Sequence, residues 1–176
     1  MADWSASIEL PLLTGEDWAW AQETTKLHLG LVREGKQRDQ RAVKFWTDYE
    51  MDLYGYLGEA SFAKYAGFSL PEPSIIATRP DDGGRDFGPY QVKTAPWRRL
   101  EDFHLCHGGR LITALTHLRS DLLYVRQSFF LKSRRCWLDG WADGEMMPAA
   151  RRLTSNAGKP ARELSYTALR PASTLL

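Results

Sequence analysis

Gly67, Pro71 and Pro73 divide the 176-residue chain into two stretches of different texture. Glycine accepts the left-handed backbone that closes a helix, and proline cannot continue one. Before this break, apolar residues recur three or four apart. Val43, Trp46, Tyr49, Leu53 and Leu57 form one stripe between about Arg41 and Ala66, which predicts a helix. Upstream, Thr14-Gly15-Glu16-Asp17 has the form of a capping box, with Asp where Glu or Gln is more usual, and predicts a helix over 15–29. Lys36 to Gln40 reads as a polar connection. Gly55 and Gly58 interrupt the second stripe. Each costs roughly 1 kcal/mol against alanine in a helix, so they predict a kink, a break or close backbone packing.

After the break the pattern favours strands. Tyr90-Gln91-Val92-Lys93-Thr94 alternates and is rich in β-formers. Ser74–Ala77, Phe103–Leu105, Leu122–Val125, Cys136–Trp141 and Leu164–Ala168 are further strand candidates, and Ala157–Pro160 reads as a turn. Leu111–Leu118 fits either state and leans to helix. Helices first and strands after predict an α+β domain with an α/β-type core, a central mixed sheet flanked by helices. The length fits one domain over residues 1–176, helical over 1–67 and sheet-rich over 68–176.

With 43% hydrophobic and 26% charged residues, the chain has the composition of a globular protein with its own core. No apolar run approaches the ~20 residues of a membrane span, so no membrane partner is expected. Met1–Leu13 lacks a basic segment ahead of its apolar residues, and no signal peptide is expected. Cys106 and Cys136 are too few for a disulfide framework, which favours a reducing, cytoplasmic setting and leaves a single bridge open. His104-Leu105-Cys106-His107, with His117 or Cys136, lacks the paired spacing of structural zinc. Gly83-Gly84 matches neither a dinucleotide nor a phosphate loop.

The formal charge of +1 conceals an asymmetry. Residues 1–97 carry 10 Lys and Arg against 15 Asp and Glu, and residues 98–176 carry 13 against 7. The basic excess is mostly arginine, which pairs with phosphate through a two-pronged fork. A solvated surface balanced by the acidic half accounts for the same numbers.

The densest chemical signal is Asp81-Asp82-Gly83-Gly84-Arg85-Asp86-Phe87-Gly88-Pro89-Tyr90-Gln91-Val92-Lys93. A glycine-rich acidic turn delivers Asp86 to a strand on which Gln91 and Lys93, two apart, share a face. A carboxylate with neighbouring oxygen donors suits Mg²⁺, which keeps several waters and binds substrate phosphate. A lysine beside it can position an attacking water and offset transition-state charge. Simpler roles exist for each: Asp86 as a turn residue, Lys93 as an exposed strand residue, and Asp81 and Asp82 as solvated loop acids.

Asp86 followed by Gln91-Val92-Lys93 resembles the core motif of the PD-(D/E)XK nuclease superfamily, the restriction-endonuclease-like fold. Gly58-Glu59-Ala60-Ser61-Phe62-Ala63-Lys64 resembles the helix that supplies that family's upstream acid, with Glu59 at the matching position. The pattern also resembles small phage proteins of that fold, from about Leu13 to Trp137–Trp141 and the closing Ala168–Pro171. Gln91 departs from the commoner Glu and lacks its charge. Nucleases that restrict modified DNA carry a similar Gln-x-Lys after a Gly-rich Asp turn. The resemblance implies cleavage of DNA, with RNA left open, assisted by Mg²⁺ or Mn²⁺ and leaving a 5′-phosphate. It implies Asp86, Glu59, Gln91 and the Val92 carbonyl around the metal, with Lys93 activating water. Many such folds act as dimers, so a homodimer is compatible with it. Gln91 equally fits a non-enzymatic phage or mobile-element protein on the same scaffold. Trp97-Arg98-Arg99, directly after the strand, suits base stacking and phosphate contact. Arg134-Arg135 and Arg151-Arg152 suit backbone contacts if they share that face.

Overall fold

The computed structural model describes residues 7–35, 47–79, 85–98, 110–114, 118–154 and 160–176. Helix α1 spans Gly15–Arg33, and its N-terminus carries the expected capping box. The Asp17 N–H donates to Thr14 Oγ1 at 3.3 Å, and the Thr14 N–H donates to Asp17 Oδ2 at 2.7 Å. Helix α2, Asp48–Ala66, begins with a second capping box from Thr47 and Glu50. It ends at Gly67, whose φ of 77° is left-handed, with the Phe68 N–H donating back to Ala63 O at 2.8 Å. Val43 and Trp46, from the predicted stripe, lie outside the described residues.

Ser74–Ala77 is helical, not a strand: α3 spans Pro73–Ala77. Pro73 at the first turn has its φ already set for a helix and lacks only an N–H that would find no intrahelical partner there. Burial of Ile76 and Ala77 secures the turn.

The main sheet contains β1 (Ile8–Glu9), β2 (Tyr90–Trp97), β4 (Leu123–Phe130) and β5 (Arg135–Asp143), in the order β1-β5-β4-β2. β2 runs parallel to β4, and the other pairs are antiparallel, so the sheet is mixed. β2 is paired only to β4 among the described strands, which leaves room for Pro96. A second sheet, β3-β7-β6, joins β3 (Arg110–Ala114), β6 (Arg151–Thr154) and β7 (Pro160–Ser165). A short helix α4, Met146–Ala149, precedes β6. The protein is therefore an α+β fold. Two local expectations are corrected in part here. Residues 110–114 form a strand because they pair with β7, a long-range contact invisible to local pattern. β7 ends at Ser165, and 166–168 continue as a 3₁₀ turn.

The core lies between α1, α2 and the main sheet. Leu57, Phe62, Ala63, Val125, Phe129 and Leu138 are fully enclosed there. Gly58 explains how closely α2 approaches β2. A Cβ on Gly58 would lie 1.8 Å from Thr94 Oγ1, so only glycine fits. Gln127 on β4 seals the same contact, donating from Nε2 to Gly58 O at 3.1 Å. This approach brings Glu59, the next residue of α2, to the start of β2. A smaller cluster, Leu122, Tyr124, Ala142 and Met147, fills the other side with Leu164 of β7.

Candidate active site

Three elements deliver charged side chains to one point. α2 supplies Glu59, the residue after α3 and its cap supplies Arg79, and the turn before β2 supplies Asp86. The turn is tight: the Asp86 N–H donates to Tyr90 O at 2.8 Å, and the Tyr90 N–H donates to Phe87 O at 2.7 Å. It places the Asp86 carboxylate beside the strand that follows, where Oδ2 accepts the Val92 N–H at 2.7 Å. The other oxygen, Oδ1, lies 3.0 Å from Arg79 Nη2. The same nitrogen lies 3.3 and 3.4 Å from the two Glu59 oxygens. One guanidinium nitrogen thus sits between two carboxylates.

Both acids are enclosed, each side chain 11% exposed, while Arg79 is 29% exposed and forms the more accessible side of the cluster. Burial pushes Glu59 up to about 8, with the Asp86 charge reinforcing the shift and Arg79 and Lys93 opposing it. Burial also raises Asp86, against the pull of Arg79, the Val92 N–H and Lys93. For Arg79, burial works against the charge, and the two carboxylates outweigh it. Lys93 is half-buried and near enough to act on both carboxylates, but it forms no ion pair among the described residues. Gln91 is 3% exposed and shares its face of β2 with Lys93.

The other predicted contact residues lie elsewhere. Trp97 is about 13 Å along β2 from Lys93, at ~3.3 Å per residue. Its indole Nε1 donates to Ser128 Oγ at 2.9 Å. Arg98 is exposed near the start of α2. Glu50 there is held below the usual carboxylate range, chiefly by the Thr47 N–H and hydroxyl, with Arg98 adding to the effect. Arg134 and Arg135 follow Phe130, which pairs with Trp97 at the far end of the sheet. The Arg134 guanidinium lies 5.1 Å over the Trp18 ring, and Arg135 pairs with Glu9. Arg151 and Arg152 begin β6 of the second sheet. Arg99, Asp81, Asp82, Cys106 and His104, His107 and His117 lie outside the described residues. Cys136 is a buried free thiol.

A second acid–arginine cluster lies within the sheet. The β4–β5 register shifts between Arg126, opposite Gly140, and Gln127, opposite Leu138. Asp139 is the extra, bulged residue, and a bulge re-aims its side chain. Ser128 Oγ donates to Asp139 Oδ2 at 2.7 Å, and Arg126 Nη1 lies 3.8 Å from the same oxygen. Asp139 and Arg126 are each 3% exposed. Burial pushes Asp139 up to about 7, against Arg126 and Ser128.

Arg79 is the member of the first cluster that sequence reasoning missed. The available signal was a lone arginine directly ahead of the acid-rich loop. Comparison with family models, curated proteins and solved structures finds no match. Among the described residues no group of three or more His, Cys, Asp or Glu could hold a metal ion. The first cluster has instead two carboxylates around one cationic position. That suits Mg²⁺, which is typically held by one or two carboxylates and completed by water and substrate phosphate.

Proposed function

We propose that the protein is a metal-dependent nuclease that hydrolyses phosphodiester bonds in DNA, with Glu59, Asp86 and Lys93 at its centre. The supporting observation is that two enclosed carboxylates from separate elements meet around one cation, within electrostatic reach of Lys93. Two carboxylates held this close are costly unless a cation lies between them. Glu59 and Asp86 would hold Mg²⁺ or Mn²⁺, with the Gln91 amide and Val92 carbonyl as neutral oxygen donors. The bound ion would polarise a phosphoryl oxygen and lower the pKa of water. The Val92 N–H fixes Asp86 so that one oxygen remains turned toward Glu59 and Arg79. The Lys93 ammonium, not locked into an ion pair among the described residues, is placed to orient the attacking water and balance developing charge.

The test is cleavage of plasmid and branched DNA in Mg²⁺ and Mn²⁺ by wild type, Asp86→Ala and Lys93→Ala. Metal-dependent cleavage that both substitutions remove is expected. Absence of cleavage on every DNA and RNA substrate tried would sink the reading. A second reading, a DNA-binding or assembly protein on the same scaffold, is favoured by two facts. Gln91 adds no charge, and Arg79 already pairs with both acids. It predicts salt-sensitive DNA binding without cleavage.

A further inference from the structure

Arg79 stands where a metal held by Glu59 and Asp86 would bring its charge. Its Nη2 is within 3.0–3.4 Å of three carboxylate oxygens. A divalent cation and a guanidinium cannot share that position, because their repulsion in a poorly hydrated site is strong. Arg79 follows the last turn of α3, tied by its own N–H to Ile76 O at 3.1 Å, so its backbone is fixed while its side chain reaches inward. With a side chain 29% exposed against 11% for the acids, it can swing toward solvent while the acids stay. A guanidinium displaced to the rim beside a metal is suited to a phosphate, which it grips through two parallel hydrogen bonds.

We propose that Arg79 is an internal counter-ion that competes with the divalent cation for Glu59 and Asp86, and that on displacement it binds the phosphate of the substrate. The inference rests on the metal-centre reading above and adds to it a residue that sets metal affinity and couples metal entry to substrate. Charge balance favours the coupled exchange. The four side chains are formally neutral together, and adding a divalent cation leaves an excess of two positive charges. A phosphodiester brought to Arg79 removes part of that excess.

The experiment measures Mn²⁺ binding by calorimetry, without DNA, for wild type, Arg79→Met and Arg79→Lys. Arg79→Met is expected to bind Mn²⁺ at least about tenfold more tightly than wild type, and Arg79→Lys to fall between. A thermal melt gives a second readout: Arg79→Met melts lower than wild type without metal and gains more from Mn²⁺. If Arg79→Met folds only when Mn²⁺ is added, that also supports the inference, and if it never folds, Arg79→Lys decides. Binding of a DNA duplex is then measured in Ca²⁺, with the DNA checked for integrity. Arg79→Met should bind several-fold more weakly than wild type, with a salt slope shallower by about 1. Without divalent metal the two should bind DNA equally. Wild type and both variants binding Mn²⁺ with equal affinity would overturn the competition and leave the nuclease reading standing. Unchanged DNA affinity in Ca²⁺ would overturn the phosphate role. If no form binds Mn²⁺, the metal-centre reading fails together with this one.

Discussion

Among the described residues, two buried acid–arginine clusters look alike in composition and differ in closure. At the start of β2, Arg79 faces two carboxylates, and each acid retains some exposure. Inside the main sheet, Arg126 faces one, Asp139, and both are almost sealed. In the inner cluster Ser128 donates to Asp139 Oδ2 and receives the Trp97 indole N–H. It ties β2, β4 and β5 together. The outer cluster has one acid more than its arginine can neutralise, a lysine alongside, and an arginine on the open side. A closed pair fixes strands. A more open cluster of perturbed carboxylates is one signature of a functional site.

The largest effect should separate the two by activity. Glu59→Gln and Asp86→Asn should each lower cleavage by roughly 10²–10³-fold while leaving unfolding free energy within about 1 kcal/mol of wild type or above it. Losing stability instead of activity would make the outer cluster structural. Asp139→Asn should do the reverse. It removes the carboxylate that faces the buried Arg126, at a cost of about 3 kcal/mol in urea unfolding. A stable, unaffected Asp139→Asn protein would erase the distinction.

Gly58→Ala tests whether the outer cluster depends on the helix–strand approach. The added Cβ meets the Thr94 side chain, so about 2 kcal/mol of stability should be lost, and metal affinity with it as Glu59 moves off. Thr94→Ala in the same chain should restore part of both, and failure to do so would locate the strain elsewhere.

The pH dependence is smaller and shared. Asp139 and Glu59 have folded values of about 7 and about 8, above their ordinary 3.8 and 4.5. The folded protein therefore holds protons that the unfolded chain has released. Stability from these groups is complete below about pH 4 and declines as pH rises toward 8. Glu59→Gln should flatten the upper part of that decline, and a slope unchanged in this variant would count against the enclosed acid. The smallest effect concerns the far end of the sheet. Arg135→Ala breaks an exposed pair with Glu9, so stability should change by about 1 kcal/mol or less, with DNA affinity unchanged in a filter-binding assay. A marked loss of DNA binding would place the substrate path along that end instead.

The two clusters also differ in how far they could be read beforehand. Asp86, Gln91 and Lys93 are close in sequence, and a turn followed by a strand is a local event, so their grouping was legible. Glu59 was legible only through resemblance. Arg79 and the Asp139 cluster were not. Arg79 reaches the site because α3 forms where β-formers suggested a strand, and Asp139 turns toward Arg126 because of a bulge defined by strand register.

By itself the sequence determined the cap of α1, the stop at Gly67 and the main strands, because caps, glycine conformation and residue periodicity act over a few neighbours. It also determined the excess of acid in one half and of arginine in the other. The tertiary structure decided which of those charges meet. Arg79 lies 20 residues from Glu59 in the chain, yet one nitrogen binds it and Asp86 together. Arg134 and Arg135, for all their suitability as phosphate ligands, are turned to Trp18 and Glu9. Coulomb forces and desolvation act through distance in space, and those distances are set by how α2 settles over Thr94, a contact that only the absent side chain of Gly58 permits.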